Sequence, residues 1–250
     1  MKKWGVRKII KTVWFSAGLL FIFWNWGTFQ SRDLPEGTFS NSADIAVTET
    51  SDQIIFQSLT EQSDLQIIFL QGGLTDPKAY GPLCRRLAEK GYTCHLFKMN
   101  WRFPEYDYQK VNELLDLPTG NFVIGGHSQG GKMAAQLVYE RRGAFKGLFL
   151  LGTSHPRDID LSDDSIPCIK LYAENDGLAS VEEVLENRSK LPKGTDLVLI
   201  EGGNHSQFGY LGKLFMDGTA SISTAEQQRE TTDQLLIFLD HIDANRPTGS

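Results

Sequence analysis

Cysteine is scarce: Cys84, Cys94 and Cys168 are the three in 250 residues, and no C-x-x-C occurs. An odd count of widely spaced thiols excludes a disulfide scaffold, and each Cys falls within an apolar stretch, where a buried thiol belongs. A P-loop, a dinucleotide fingerprint and a metal-ligand cluster are also missing, so neither cofactor nor metal is expected. Acid is missing from one place: residues 1–31 hold Lys2, Lys3, Arg7, Lys8 and Lys11 but no Asp or Glu. The remaining 32–250 then carry 20 basic and 31 acidic residues, a net charge of −11. So acidic a body repels phosphates, which excludes nucleic acid as a partner.

The same 31 residues hold four of the five Trp: Trp4, Trp14, Trp24 and Trp26. Residues 12–31 are uncharged, with an apolar centre over 13–23. As a helix they reach about 30 Å, one hydrocarbon thickness. Trp24 and Trp26 fall where an interfacial belt would sit, and the basic cluster should stay cytoplasmic. Residues 1–31 are therefore expected to be a transmembrane signal-anchor, giving a membrane partner and an extracytoplasmic body. The alternative is a cleaved signal and a secreted protein, although Trp24-Asn25-Trp26-Gly27 is a poor cleavage site. Residues 32–52 are polar and rich in turn formers, a linker with a first strand near 45–48. Residues 53–250 suffice for one domain.

Within that body, short apolar runs recur at 53–58, 65–70, 93–99, 121–124, 147–151, 168–173 and 196–200. Most are nearly continuous, as in strands covered on both faces. Helical stripes lie between them. Tyr80, Leu83, Cys84, Leu87 and Ala88 share one face, with Asp76 as N-cap, Pro77 at the first position and Gly91 as the stop. Another helix over 130–142 ends at Gly143. Ser180-x-x-Glu183 and Ser223-x-x-Glu226 read as capping boxes. The pattern predicts an α/β domain: a mostly parallel, doubly wound sheet flanked by helices and opened by an antiparallel hairpin. Ligands in such sheets bind beyond the carboxyl ends of the strands.

One motif sits at such an end. Gly126-His127-Ser128-Gln129-Gly130 follows the strand 121–124 and opens the helix 130–142. In this G-x-S-x-G elbow the serine takes a strained conformation beside a helix N-terminus, and glycines flank it where a side chain would collide. Serine needs a base to become a nucleophile. His205, in the flexible Gly202–Gly209 loop after strand 196–200, suits that role better than His155, His127, His95 or His241. A base needs a carboxylate to fix its tautomer. Asp176 follows strand 168–173 and gives the chain order Ser, Asp, His; Glu174, Asp163 and Asp164 are the rivals. Oxyanion donors would be the amide of Gln129 and that of Gly73 or Leu74, in the loop Gln71-Gly72-Gly73-Leu74.

Together these residues resemble the α/β-hydrolase superfamily over about 53–243. The stretches Gln71-Gly72-Gly73-Leu74-Thr75-Asp76-Pro77 and Gly203-Asn204-His205-Ser206-Gln207-Phe208-Gly209 look like its compact bacterial branch of dienelactone-hydrolase-like proteins and esterases, here with Ser128 where true dienelactone hydrolases use Cys. The resemblance implies an α/β-hydrolase fold and hydrolysis of a small or medium carboxylic ester through a Ser-His-Asp triad and an acyl-enzyme. Another acyl bond (thioester, amide or peptide) and a non-catalytic binding role are the alternatives. Residues 152–166 are too few for a helical lid domain. Met99, Trp101, Phe208 and Tyr210 are placed to line an apolar substrate pocket.

Overall fold

The computed structural model describes residues 5–60, 63–117 and 120–245; Lys2, Lys3 and Trp4 of the basic head lie outside them. Eight strands form one sheet: β1 (Ile45–Glu49), β2 (Gln53–Ser58), β3 (Leu65–Leu70), β4 (Cys94–Phe97), β5 (Asn121–His127), β6 (Gly147–Leu151), β7 (Cys168–Ala173) and β8 (Asp196–Ile200). Their spatial order is β1-β2-β4-β3-β5-β6-β7-β8. The expected antiparallel hairpin is present, with Val47 opposite Phe56, and β2 also runs antiparallel to β4. All other pairs are parallel. Every residue of β6 and β7 is buried, which explains their unbroken apolar sequence.

Helices cover both faces, and β3 shows how. Its Ile67 and Phe69 point into one core with Leu83 and Leu87 of α2 (Gly81–Ala88) and Leu235 and Phe238 of α7 (Thr224–Ala244). Its Ile68 and Leu70 point into the other, with Val111 of α4 (Lys110–Leu114) and Met133, Ala134 and Leu137 of α5 (Gln129–Glu140). Successive residues of a strand thus feed opposite layers. Two short helices, α3 (Pro104–Asp107) and α6 (Val181–Glu186), complete the set on the sheet's connections.

The local signals work as chemistry. Asp76 Oδ1 accepts the Lys78 amide at 3.0 Å and caps a 3-10 turn leading into α2. Gly91 ends the segment at φ 93°. Ser223 and Glu226 form a reciprocal capping box on α7. Ser180 accepts the Glu183 amide at the start of α6. Cys84, Cys94 and Cys168 are buried and free. No helix lies between β6 and β7, in keeping with the absence of a lid domain.

The N-terminal segment requires a correction. Residues Val6–Thr28 do form one helix, α1, but no helix among the described residues is long and apolar enough to cross a membrane. The physical reason lies in its ends. Lys11 and Asn25 bracket only 13 residues, about 20 Å of helix, against about 30 Å of hydrocarbon. Beyond Asn25 the chain is bound to the body. The Thr28 carbonyl accepts the Gly212 amide at 3.0 Å, the Phe29 carbonyl accepts the Asp76 amide at 2.8 Å, and the Arg32 amide donates to Tyr210 at 2.9 Å. The Arg102 guanidinium lies 5.0 Å over the Trp26 ring, and Phe21 meets Phe215 edge-on at 5.4 Å. Trp26, expected in a lipid belt, is therefore a protein contact. A transmembrane anchor is not supported, and the orientation read from the basic cluster loses its basis.

Candidate active site

The centre of the sheet creates the site. Strand β5 keeps its pairing through His127, and Ser128 then turns sharply at φ 52°, ψ −117° before α5 begins. A non-glycine residue in that region is strained, and the strain is fixed from both sides. The Ser128 amide donates to Leu151 at 2.9 Å, and its carbonyl accepts the Lys132 amide at 3.0 Å. The flanking glycines are obligatory: a Cβ on Gly126 or on Gly130 would run into the Leu70 carbonyl of β3. Ser128 precedes the first turn of α5, whose amides lack intrahelical partners.

His205 and Asp176 meet beside it. The His205 ring is buried and its Nδ1 lies 3.0 and 2.9 Å from the two Asp176 oxygens. Asp176 Oδ1 also accepts the Leu178 and Ala179 amides at 2.8 and 2.7 Å, which keeps the carboxylate aimed. With the carboxylate as acceptor, Nδ1 carries the proton and Nε2 presents its lone pair. The rivals are occupied elsewhere. Glu174 accepts the Gly202 amide at 2.8 Å, Asp163 and Asp164 lie well before β7, and Asp164 accepts the Ile166 amide.

A second carboxylate escaped the sequence. Asp217 is buried, and its Oδ1 accepts the amides of His205 at 3.3 Å, Gly177 at 3.2 Å and Gly218 at 2.8 Å. Its Oδ2 accepts the Ser206 amide and hydroxyl at 2.8 and 2.5 Å. Asp217 thus ties the loop of Asp176 to the loop of His205. Met216-Asp217-Gly218 reads as an ordinary turn, and nothing local distinguishes it.

The glycine loop after β3 is pinned by a closed ring of hydrogen bonds. The Gly72 amide donates to the Tyr80 hydroxyl, which donates to Thr75 Oγ1, which donates to the Gly72 carbonyl, at 3.2, 3.1 and 2.8 Å. Gln71 closes the base of the loop on Thr75 and Met99. The Leu74 amide is taken by the Arg102 carbonyl at 2.6 Å, whereas among the described residues no hydrogen bond engages the amide of Gly73. His127 lies 2.8 Å from the Tyr80 hydroxyl, and its ring centroid is 4.5 Å from that of His205 at a 51° tilt. Burial first, and the neighbouring His205 second, hold the His127 pKa well below the ordinary value, so it stays neutral.

Ser128 and His205 both line two cavities. One, of about 380 Å³, is polar and walled by Lys132, His155, Arg157 and Asp158. The other, of about 410 Å³, is walled by Phe29, Gly73, Leu214, Phe215 and Met216. Leu178 borders both. None of the four expected pocket residues lines either one. Met99 and Phe208 are buried in the two cores, Trp101 is 90% exposed, and Tyr210 sits over a separate cleft with Pro82 and Arg86. Trp101 is thrown outward by its own backbone, at φ 54°. Among the described residues no cluster of His, Cys, Asp and Glu could hold a metal ion.

Beneath the polar cavity lies an unusual cation. Lys170 of β7 is fully buried, and its Nζ donates to the His155 carbonyl at 2.6 Å. Burial pushes its pKa down to about 8, while burial and nearby Lys132 hold His155 at about 4. An unfolded lysine titrates near about 10.4. Between those values the unfolded chain binds the extra proton, so stability rises with pH. Wild type should gain thermal midpoint relative to Lys170→Met as pH is raised from about 7 to about 9.5; parallel curves would contradict a desolvated ammonium.

The comparisons with known proteins agree with this architecture. Among curated proteins none matches the chain in sequence. An alpha/beta serine hydrolase homologue from Coxiella burnetii superposes with a TM-score of 0.55 at 12% identity, covering 80% of this chain and 99% of its own. Est1E from Butyrivibrio proteoclasticus gives 0.54 at 11%, covering 79% and 100%. MGS-MChE2, an alpha/beta hydrolase enzyme from the metagenome of lagoon sediments at Mar Chica, Morocco, gives 0.58 at 15%, covering 79% and 99%. At such identities the likeness is one of fold. The family signature described as "Alpha/beta hydrolase family" matches residues 66–229, well over half of the sequence, and the chain belongs to that family.

Proposed function

We propose that the protein is a serine hydrolase of carboxylic esters. The observation that carries this reading is the buried Asp176–His205 pair opening on the same cavities as a serine held at positive φ. Ser128 Oγ attacks the ester carbonyl carbon while His205 Nε2 takes its proton, and the Nδ1–H bond to Asp176 stabilises the resulting imidazolium. The amides of Gln129 and Gly73 hold the oxyanion; Leu74 is spent on Arg102. Collapse breaks the bond to the alcohol, which leaves with the proton from Nε2. Water then repeats the sequence on the acyl-enzyme, releasing the acid and restoring Ser128. A fluorophosphonate, which needs an activated serine, is expected to label the protein at Ser128. Absence of labelling of the folded protein would refute the proposal.

A further inference from the structure

The two cavities at Ser128 differ in chemistry, and one of them is built partly by the N-terminal segment. Phe29 and Asn25 wall the second cavity together with Leu214, Phe215 and Met216. Phe215, met on one edge by Phe21, is still 52% exposed and Met216 is 73% exposed, an apolar rim open to a ligand. Both walls are rigid. On one side the Phe29 carbonyl is fixed by Asp76, Ser31 Oγ donates to Asp76 Oδ2 at 2.8 Å, and Arg102 bonds Gln30 Oε1 at 3.0 Å while its carbonyl holds Leu74. On the other side Met216 precedes Asp217, which is bound to the His205 loop. Asn25 Oδ1 is buried there with no hydrogen-bond partner among the described residues, an unmet acceptor of the kind that sites retain.

In the polar cavity the cations are already matched. Lys132 lies 3.5 Å from Glu105 and 3.9 Å from Asp158, and Arg157 lies 3.5 Å from Glu183. A cavity of paired charges suits a neutral, hydroxylated group better than a free anion. Of the two oxyanion donors, Gln129 lines both cavities and Gly73 the apolar one alone, and the apolar walls there suit an acyl chain better than a hydroxylated alcohol.

Resting on the hydrolase reading above, the geometry points to an amphiphilic ester: its acyl chain lies in the cleft between Phe29 and Phe215, and its hydroxylated alcohol lies in the pocket of Lys132 and Arg157. The end of α1 is then a specificity-determining wall of the site.

The test is a series of p-nitrophenyl acetate, butyrate and octanoate on the full chain. Buried methylenes should favour the longer acyl groups, and kcat/KM should rise about tenfold or more from acetate to octanoate. Phe29→Trp, which fills the cleft, should cut the octanoate-to-acetate ratio about tenfold. Phe215→Trp, on the exposed wall, should do the same and serves if Phe29→Trp does not fold. Glyceryl octanoate should be preferred over ethyl octanoate. Ratios unmoved by both variants, or a preference for the ethyl ester, would overturn the inference while ester hydrolysis and fluorophosphonate labelling left the hydrolase reading intact. A wild type that neither hydrolyses esters nor takes the label would sink both.

Discussion

Ser128→Ala is expected to lower kcat on p-nitrophenyl acetate by about 10⁴ to 10⁶. The magnitude follows from the division of labour at the site. On the proposed mechanism His205 and Asp176 would have no independent route to the ester without the serine oxygen, and only the amides of Gln129 and Gly73 would remain to polarise the carbonyl. The variant should fold as the wild type does, since alanine must adopt the same φ of 52° that the serine adopts. Ser128→Gly gives the complementary result. It abolishes activity equally but relieves the strain, so its unfolding free energy should exceed that of Ser128→Ala by about 1 kcal/mol. Steady-state kinetics with thermal or urea unfolding checks both halves. An alanine variant retaining a tenth of the activity would remove Ser128 from the chemistry.

Asp217→Asn carries the second large effect. The wild-type carboxylate accepts five hydrogen bonds, from His205, Gly177, Gly218 and twice from Ser206. An amide of the same shape must turn an NH2 toward donors on one side, leaving buried N–H groups unmatched. The expected loss of stability is about 2–4 kcal/mol. The loss of kcat should be larger than that of a distant core variant, about 10²-fold, because His205 and Asp176 are no longer held in register. A positioning role predicts that kcat falls while KM for the short ester changes little. A variant with a lowered thermal midpoint but unchanged kcat would reduce Asp217 to a structural brace.

What the sequence made legible follows from the range of the interactions involved. The strands of the buried centre declare themselves through unbroken apolar runs, and Asp76, Ser223 and Gly91 act within a few residues of their own positions. Gly126 and Gly130 are legible because an elbow imposes its demand at fixed spacing. Asp176 and His205 emerge from chain order and strand ends, and the structure brings them together. Asp217 is invisible because its five donors come from three stretches of chain that meet only in the fold. The four expected pocket residues fail for a related reason. Past a strand's end the pleat no longer dictates which way a side chain points: Trp101 swings out on a left-handed backbone, and Met99 stays in the core. Trp26 illustrates the limit from the other side. An aromatic residue at a helix end suits lipid and protein equally, and only Arg102, 76 positions away, settles which it meets.

The pairing of Leu70 with Gly126 has a kinetic consequence. The oxyanion loop begins where β3 ends and the elbow where β5 ends, so both rest on one parallel strand pair whose partners are separated by more than fifty residues. Closing that loop is entropically costly, and neither half of the pair is held by local contacts alone. A chain that has formed its helices and its β1–β2 hairpin but not this pairing would lack the oxyanion site proposed above. Recovery of the proposed ester hydrolysis after dilution from denaturant is therefore expected to report the arrival of the central sheet, later than the signal from helix content.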